Sequence, residues 1–258
     1  MKKSQWIGIL LVSVLLIFAF VGLVWTPYNP DAMNIQLKNA SPTLLHPFGN
    51  DNFGRDVFSR VMKGLSTTVV ISTSVVAIGA VFGTLIGAVT GYAGGLVDDI
   101  VMRINDAVTA FPSILLALVF VSIFGSGKYH IILALGILFI PSFARVMRSE
   151  FIKQRQLDYV KNAKILGAGT CSILFRHMLP NMLATLIPTI TIGFNNAVLA
   201  EAGMSFLGLG VQPPEASLGR MISEASGYLK IAPWTAIFPG IIMVVLVYSF
   251  SLIGGDAD

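Results

Sequence analysis

Charge is scarce in this chain. Only 12% of its 258 residues are Asp, Glu, Lys or Arg, where a water-soluble domain carries about 25%. Cysteine is nearly absent: Cys171 stands alone, which excludes an internal disulfide framework. The three histidines, at 46, 130 and 177, are scattered and form no metal-ligand cluster. Short segments of alternating polarity, the mark of a transmembrane barrel, are missing too. A formal charge of +4 with no basic, aromatic-rich face gives no footing for nucleic-acid binding. What remains is apolar: 55% of the residues are hydrophobic, gathered into runs of the roughly 20 residues that a helix needs to cross a bilayer. The composition predicts an all-α polytopic membrane protein embedded in a lipid bilayer.

Six spans are predicted, near 6–25, 67–90, 98–124, 129–147, 182–208 and 234–254. The first follows Lys2 and Lys3 and runs on to Trp25, longer than a signal-peptide core, so it reads as a retained helix. This divides the chain into an N-terminal helix with an extracytoplasmic segment (1–66) and a core domain (67–258). With the N-terminus in the cytoplasm, ten of the 17 Lys and Arg lie inside and seven outside. Seven of the inner ten crowd the facing ends of the fourth and fifth spans, which sets the orientation.

Three features stand out from the spans. Gly79, Gly83, Gly87 and Gly91 recur every fourth residue and make one smooth helix face. Such a face serves internal packing or a sliding surface at a subunit interface or pore wall. Glu201, with Asn195 and Asn196 one to two turns before it, puts an ionisable group toward the outer end of the fifth span. It reads either as a pore-facing outer gate or as a structural hydrogen-bonding group. Asp98, Asp99, Arg103 and Asp106 read as surface or inter-subunit charge pairs. In the outer segment, the four-residue spacing of Asp51 and Arg55 suits pairing on a short helix that leads into the second span.

The connection from Ser149 to Pro180 is the most unusual stretch. It is far longer than a tight helix–helix turn and lacks proline before Pro180. Small residues cluster at Ala163, Gly167, Ala168 and Gly169, followed by bulky Ile173, Leu174 and Phe175. A helical docking segment that fills a partner's groove fits this pattern, as does a helix hairpin lying on the membrane surface.

Ala163, Gly167 and Leu179-Pro180 carry a resemblance. Their spacing is similar to the signature loop of ABC importer permeases: Glu-Ala-Ala, three residues, Gly, nine residues, Ile, one residue, Leu-Pro. Lys161, Asn162 and His177 depart from that pattern. "HPFGNDNFGRDVFSRVMKG" (46–64), "FPSILLALV" (111–119), "AEAGMSFLGLGVQPPEASLGRMISEA" (200–225) and "LIGGDAD" (252–258) resemble one branch, the C-subunits of dipeptide, oligopeptide and nickel permeases. Members of that branch usually continue past the terminal Gly-Asp with a short basic tail, whereas this sequence stops at Asp258.

The resemblance implies a type I ABC importer permease fold in a prokaryotic cytoplasmic (inner) membrane. It implies a non-catalytic subunit forming half of a pathway for di- or oligopeptides, or alternatively for nickel or a metal chelate. The partners it implies are a second homologous permease, one or two cytoplasmic ATPases that bind ATP and Mg, and an extracytoplasmic binding protein. The chain itself would hold no cofactor and no metal. The loop 149–180 would be the coupling loop, with Ala163, Gly167, Ala168, Gly169, Ile173, Leu174, Leu179 and Pro180 toward the ATPase. The segment 46–64 would face the binding protein or cap the pore locally. "GSGKY" (125–129) resembles the end of a phosphate loop but lacks its first glycine and its hydroxyl residue. A stand-alone secondary transporter or channel is the distant alternative, and it would need inverted repeats and a broken-helix midplane site.

Overall fold

The computed structural model describes residues 3–254, so Lys2 and the end of the "LIGGDAD" stretch lie outside the described residues. The described chain is built of helices and their connections, the longest being the mostly non-helical stretch 25–56, and its only β pairing among the described residues is an isolated bridge between Asn50 and Asp56. Its main helices are α1 (Lys3–Val24), α2 (Val57–Ala93), α3 (Gly95–Thr109), α4 (Ser113–Phe124) and α5 (Lys128–Arg155). They are followed by α6 (Asp158–Ile165), α7 (Thr170–Ser172), α8 (Leu183–Phe206), α9 (Leu218–Ala225) and α10 (Trp234–Gly254). Five helical stretches are long and apolar enough to cross a membrane, and the α3–α4 pair makes a sixth span if counted as one.

Helix α2 is the axis of the bundle. Asp56 caps it, its carboxylate accepting from the Ser59 amide at 2.7 Å. At 37 residues and 1.5 Å per residue it is about 55 Å long, nearly twice the roughly 30 Å of hydrocarbon it has to cross. The prediction started this span at 67 and put a separate interfacial helix before it. The structure instead runs one helix from Val57, with Val57, Arg60, Val61 and Leu65 fully buried. The boundary at 66 therefore falls inside a continuous helix.

Helix α1 packs between α2 and α10 through glycines. A Cβ on Gly22 would sit 2.5 Å from the Met62 carbonyl oxygen, and one on Gly8 would sit 2.9 Å from the Leu252 Cβ. The opposite side of α1, with Leu10, Ile17 and Phe20, stays exposed, as suits a lipid-facing surface.

The third span departs most from expectation. Residues 98–124 read as one helix, but α3 and α4 meet at 85°. The cause is Pro112, whose ring disfavours the helical conformation at Phe111. The bend is held from α5. Arg145 Nη2 donates to Asp106 at 2.8 Å, the Asn105 amide donates to the Pro141 carbonyl at 3.1 Å, and Arg148 forks onto Asp98. Asp98 and Asp106 are thus paired within the chain, and the Asp106 pair with Arg145 lies at the surface, as the surface reading expects.

One apolar core joins α1, α2, α4, α5, α8, α9 and α10. A second, smaller core gathers Ala88, Met147, Phe151, Val160, Ile173, Leu174, Met178 and Met182. It roots the 158–182 segment on the C-terminal ends of α2 and α5.

Candidate functional site

The 158–182 segment is a folded projection. Helix α6 ends in a tight C-terminal motif in which the Ala168 amide donates to the Ala163 carbonyl at 3.0 Å and the Gly167 amide to the Lys164 carbonyl at 3.1 Å. This crossed pair requires a left-handed residue at Gly167, whose φ is +81°. A Cβ at Gly167 or Gly169 would meet nothing within 4 Å, so no atom of the described chain fills the space beside them. After Gly169 the chain re-enters a helix at α7, widens into a π turn over Ile173–Met178 and tightens over Leu179–Met182 before α8. Pro180 sits in the first turn of that last piece, where it has no amide to lose.

This path corrects the expected docking residues. Ile173 and Leu174 do not project into solvent; they are 1% and 7% exposed and belong to the inner core. Ala163, Ala168 and Leu179 pack on the same core. Two residues absent from the expectation carry the most exposed apolar surface, ahead of the less exposed Phe175. Ile165 is 82% exposed and Leu166 85%, at the tip beside the open glycine. The signal was present in "KILG", an apolar pair just before a C-terminal glycine. It was missed because the bulkier 173–175 run suggested the groove-filling element.

The glycine stripe is filled by α5. A Cβ on Gly83 would lie 2.4 Å from the Phe143 Cβ and 2.8 Å from the Ala144 nitrogen; one on Gly87 would lie 2.7 Å from the Arg148 nitrogen. Gly91 meets Phe151 and Arg148 in the same way, and Gly79 meets Phe139 and Phe143. The Phe143 ring is bounded by Gly79 and Gly83 on α2 and by Gly193 on α8. Backbone contact along this seam leaves α2 and α5 without side-chain cushioning, which makes them one rigid pair.

Beside this seam, sharing Phe139 and Phe143 with it, lies an open groove of about 430 Å³ between the start of α4, α5 and α8. Leu138, Phe139, Phe143, Val146 and Ile192 supply its apolar wall, and Ser113, Ser142, Thr189 and Asn196 its polar groups. Asn196 thus lines the groove, whereas Asn195 does not, and its Oδ1 is enclosed without a hydrogen-bond partner.

Glu201 is placed elsewhere. It is fully buried, accepts from the Ser205 hydroxyl at 2.6 Å, and takes a 3.2 Å hydrogen bond from Thr68 on α2. The Ser205 oxygen in turn accepts from the Val211 amide, and Thr68 from the Leu218 amide, each at 3.2 Å. The carboxyl group therefore ties α8, α2 and the 207–217 connection together and does not line the groove, against the gate reading.

Beyond it, a second polar cluster closes the end of the bundle opposite the 158–182 segment. Arg55 Nη2 donates to Glu224 at 2.9 Å and Arg55 Nε to Asp51 at 2.6 Å; Arg60 Nη2 reaches the same Glu224 oxygen at 3.4 Å. Arg220 holds the other Glu224 oxygen at 3.0 Å. Asp51 and Arg55 pair as predicted by their spacing, but across a turn rather than along a helix. Gly54 (φ +73°) turns the chain there, so close to the Asn34 carbonyl that no side chain fits.

Comparison with known proteins gives this arrangement its context. Residues 83–255 match the family described as binding-protein-dependent transport system inner membrane component. The dipeptide transport system permease protein of Alkalihalophilus pseudofirmus is 35% identical over 253 residues, covering 98% of this chain and 83% of its own. The glutathione transport system permease protein of Pectobacterium atrosepticum is 37% identical over 246 residues, covering 95% and 82%. The dipeptide permease of Haemophilus influenzae is 34% identical over 261 residues, covering 98% and 88%. A helical bundle of five or six spans with a folded helical projection on one face and an open groove along its side, matched over almost its whole length, belongs to the permease family of binding-protein-dependent ABC importers.

Proposed function

We propose that this chain is one of two permease subunits in a peptide importer of a prokaryotic cytoplasmic membrane, and that Ile165 and Leu166 dock it onto an ATPase. In this reading the N-terminus and the 158–182 segment are cytoplasmic. One or two ATPase subunits bind ATP and Mg, a second permease completes the pathway, and an extracytoplasmic binding protein delivers cargo to the outer face. Peptides are preferred as cargo because the similar permeases are named for dipeptides and glutathione. No comparable observation favours nickel or a metal chelate.

The observation that carries the docking is the contrast within one short segment. Ile165 and Leu166 stand 82% and 85% exposed, while Ile173 and Met178 behind them are 1% and 0% exposed. An apolar tip on a rigid root transmits displacement: a push at the tip moves Met147 and Phe151 of α5 and Ala88 of α2 through close packing. Those helices are joined by the glycine seam, so the motion is passed along the axis of the bundle and reaches the groove. The basic residues around the tip, Lys161 and Lys164, remain in water beside it.

The test is affinity purification of the tagged chain from native membranes. The wild type is expected to bring a second permease and one or two ATPases. Ile165→Asp combined with Leu166→Asp is expected to keep the permease and lose the ATPases. Removing two buried aliphatic side chains costs about 3 kcal/mol, or about 100-fold in affinity. ATPase retained by the double variant at the wild-type ratio shows that docking lies elsewhere. A wild-type chain that brings neither partner defeats the importer-subunit reading.

A further inference from the structure

The groove between α4, α5 and α8 is lined by hydroxyl, amide and apolar groups, without a single ionisable side chain. Thr189 spends its hydroxyl on the Thr185 carbonyl of its own helix at 2.7 Å. Ser142 and Asn196 are different: both are exposed in the groove, and among the described residues neither side chain is in any hydrogen bond. Both lie within spanning helices, where lipid chains offer no hydrogen-bond partner and an unpaired polar group costs several kcal/mol. An asparagine amide there is stable only beside water or a polar occupant. A volume of about 430 Å³ is within the range of small-molecule sites, and the Phe139 side supplies apolar contact.

We propose that this groove is a charge-neutral cargo subsite: the Asn196 amide and the Ser142 hydroxyl hydrogen-bond the peptide backbone of the cargo, and Leu138, Phe139 and Ile192 accept its side chains. The inference rests on the peptide-importer reading and extends it to what the passage reads. An amide such as Asn196 both donates and accepts, which matches the alternating N–H and C=O of a peptide and favours neither sign of side-chain charge. This half of the passage therefore admits cationic, anionic and neutral peptides alike, and leaves discrimination by charge to other parts of the importer. The neutral wall also supplies no carboxylate, imidazole or thiolate to a bare divalent cation.

Two arms test this in the complete importer with its own partners. In the first, uptake of Ala-Lys-Ala, Ala-Ala-Ala and Ala-Glu-Ala is compared for the wild type, Asn196→Asp and Asn196→Lys. Dividing each variant's Lys-to-Glu peptide ratio by that of the wild type cancels the selectivity of the binding protein. Asn196→Asp is expected to raise the ratio about tenfold and Asn196→Lys to lower it about tenfold, as one charge facing another across a partly screened groove requires.

The second arm does not depend on transport surviving the substitution. The exposed free Cys171 is first removed as Cys171→Ser. Ser142→Cys and Asn196→Cys are then expected to react with a hydrophilic methanethiosulfonate, and Ala-Ala-Ala is expected to slow the reaction. Ile17→Cys, on the lipid-facing side of α1, is expected to stay unprotected by peptide. If the wild type takes up peptides but both ratios stay within twofold of wild type and no protection is seen, the subsite is wrong and the importer reading stands. A wild type that takes up none of the three peptides removes both.

Discussion

Gly167 is required by its backbone rather than by its surroundings. Its φ of +81° closes α6, and a Cβ there would touch nothing in the described chain. The spacing Ala163–Gly167 is legible in the sequence through its likeness to the permease signature loop, whereas its backbone reason is visible only in the structure. Its neighbour Gly169 separates backbone conformation from crowding as the reason. Gly169 is equally open but has an ordinary φ of −66°. Gly167→Val forces an L-residue into the left-handed region at about 1–2 kcal/mol, frays the end of α6 and displaces Ile165 and Leu166. Uptake at matched expression is expected to fall for Gly167→Val and to stay near wild type for Gly167→Asn and Gly169→Ala. If Gly169→Ala is as damaging as Gly167→Val, crowding by a partner, not backbone conformation, sets the requirement. The neighbouring misplacement of Ile173 and Leu174 has a similar origin. Spacing alone shows which residues share a helix face, but the π turn and the inner core decide which face is covered.

At the scale of elements, the sequence pattern found the spans because bilayer thickness imposes the length of an apolar run. It missed the ends that water and neighbours decide. Helix α5 continues eight residues past the predicted 147 to Arg155, since its last turns are covered by the inner core through Met147 and Phe151. The break at Pro112 was in plain view in "FPSILLALV", yet an unbroken apolar run outweighed the proline in the reading. The glycine stripe on α2 left two uses open, and the packing describes one of them: every position in it meets α5. A methyl group at Gly83 would need Phe143 and the α5 backbone to move, because its distances to the Phe143 Cβ and the Ala144 nitrogen would be 2.4 and 2.8 Å. Overpacking of this kind costs about 1–3 kcal/mol. Gly240 on α10 meets nothing within 4 Å, and there alanine gains up to about 1 kcal/mol of helix propensity. Thermal unfolding in detergent is expected to drop for Gly83→Ala and to hold or rise for Gly240→Ala. Equal effects would mean that the α2–α5 seam is looser than its geometry.

At the scale of the whole molecule, the outer segment and the bundle are one body because two buried arginines share one glutamate. Arg55 is 2% exposed and Arg60 1%, and both reach Glu224, which lies on α9 more than 160 residues away. Sequence spacing revealed the local half of this network, Asp51 with Arg55, and had no means of revealing the distant half. Two charges of like sign packed together need the carboxylate between them, and Arg220 holds that carboxylate in place. Glu224→Gln keeps the shape of the side chain and removes the charge, leaving buried guanidinium groups with only Asp51 and the half-exposed Asp31 nearby. Breaking one side of a buried ion network costs about 3–5 kcal/mol. A change at the more exposed Lys128–Glu215 pair, 2.8 Å apart, costs no more than about 1 kcal/mol. The expected result is that Glu224→Gln opens residues 26–56 to protease added to the purified protein in detergent and lowers the unfolding temperature, while Lys128→Met does neither. Since the same segment carries Asp56, the cap of α2, its release also frays the first turns of the central helix. Protection of 26–56 that persists in Glu224→Gln would show that apolar contacts such as the stacked Phe48 and Phe238 rings hold the segment without the ions.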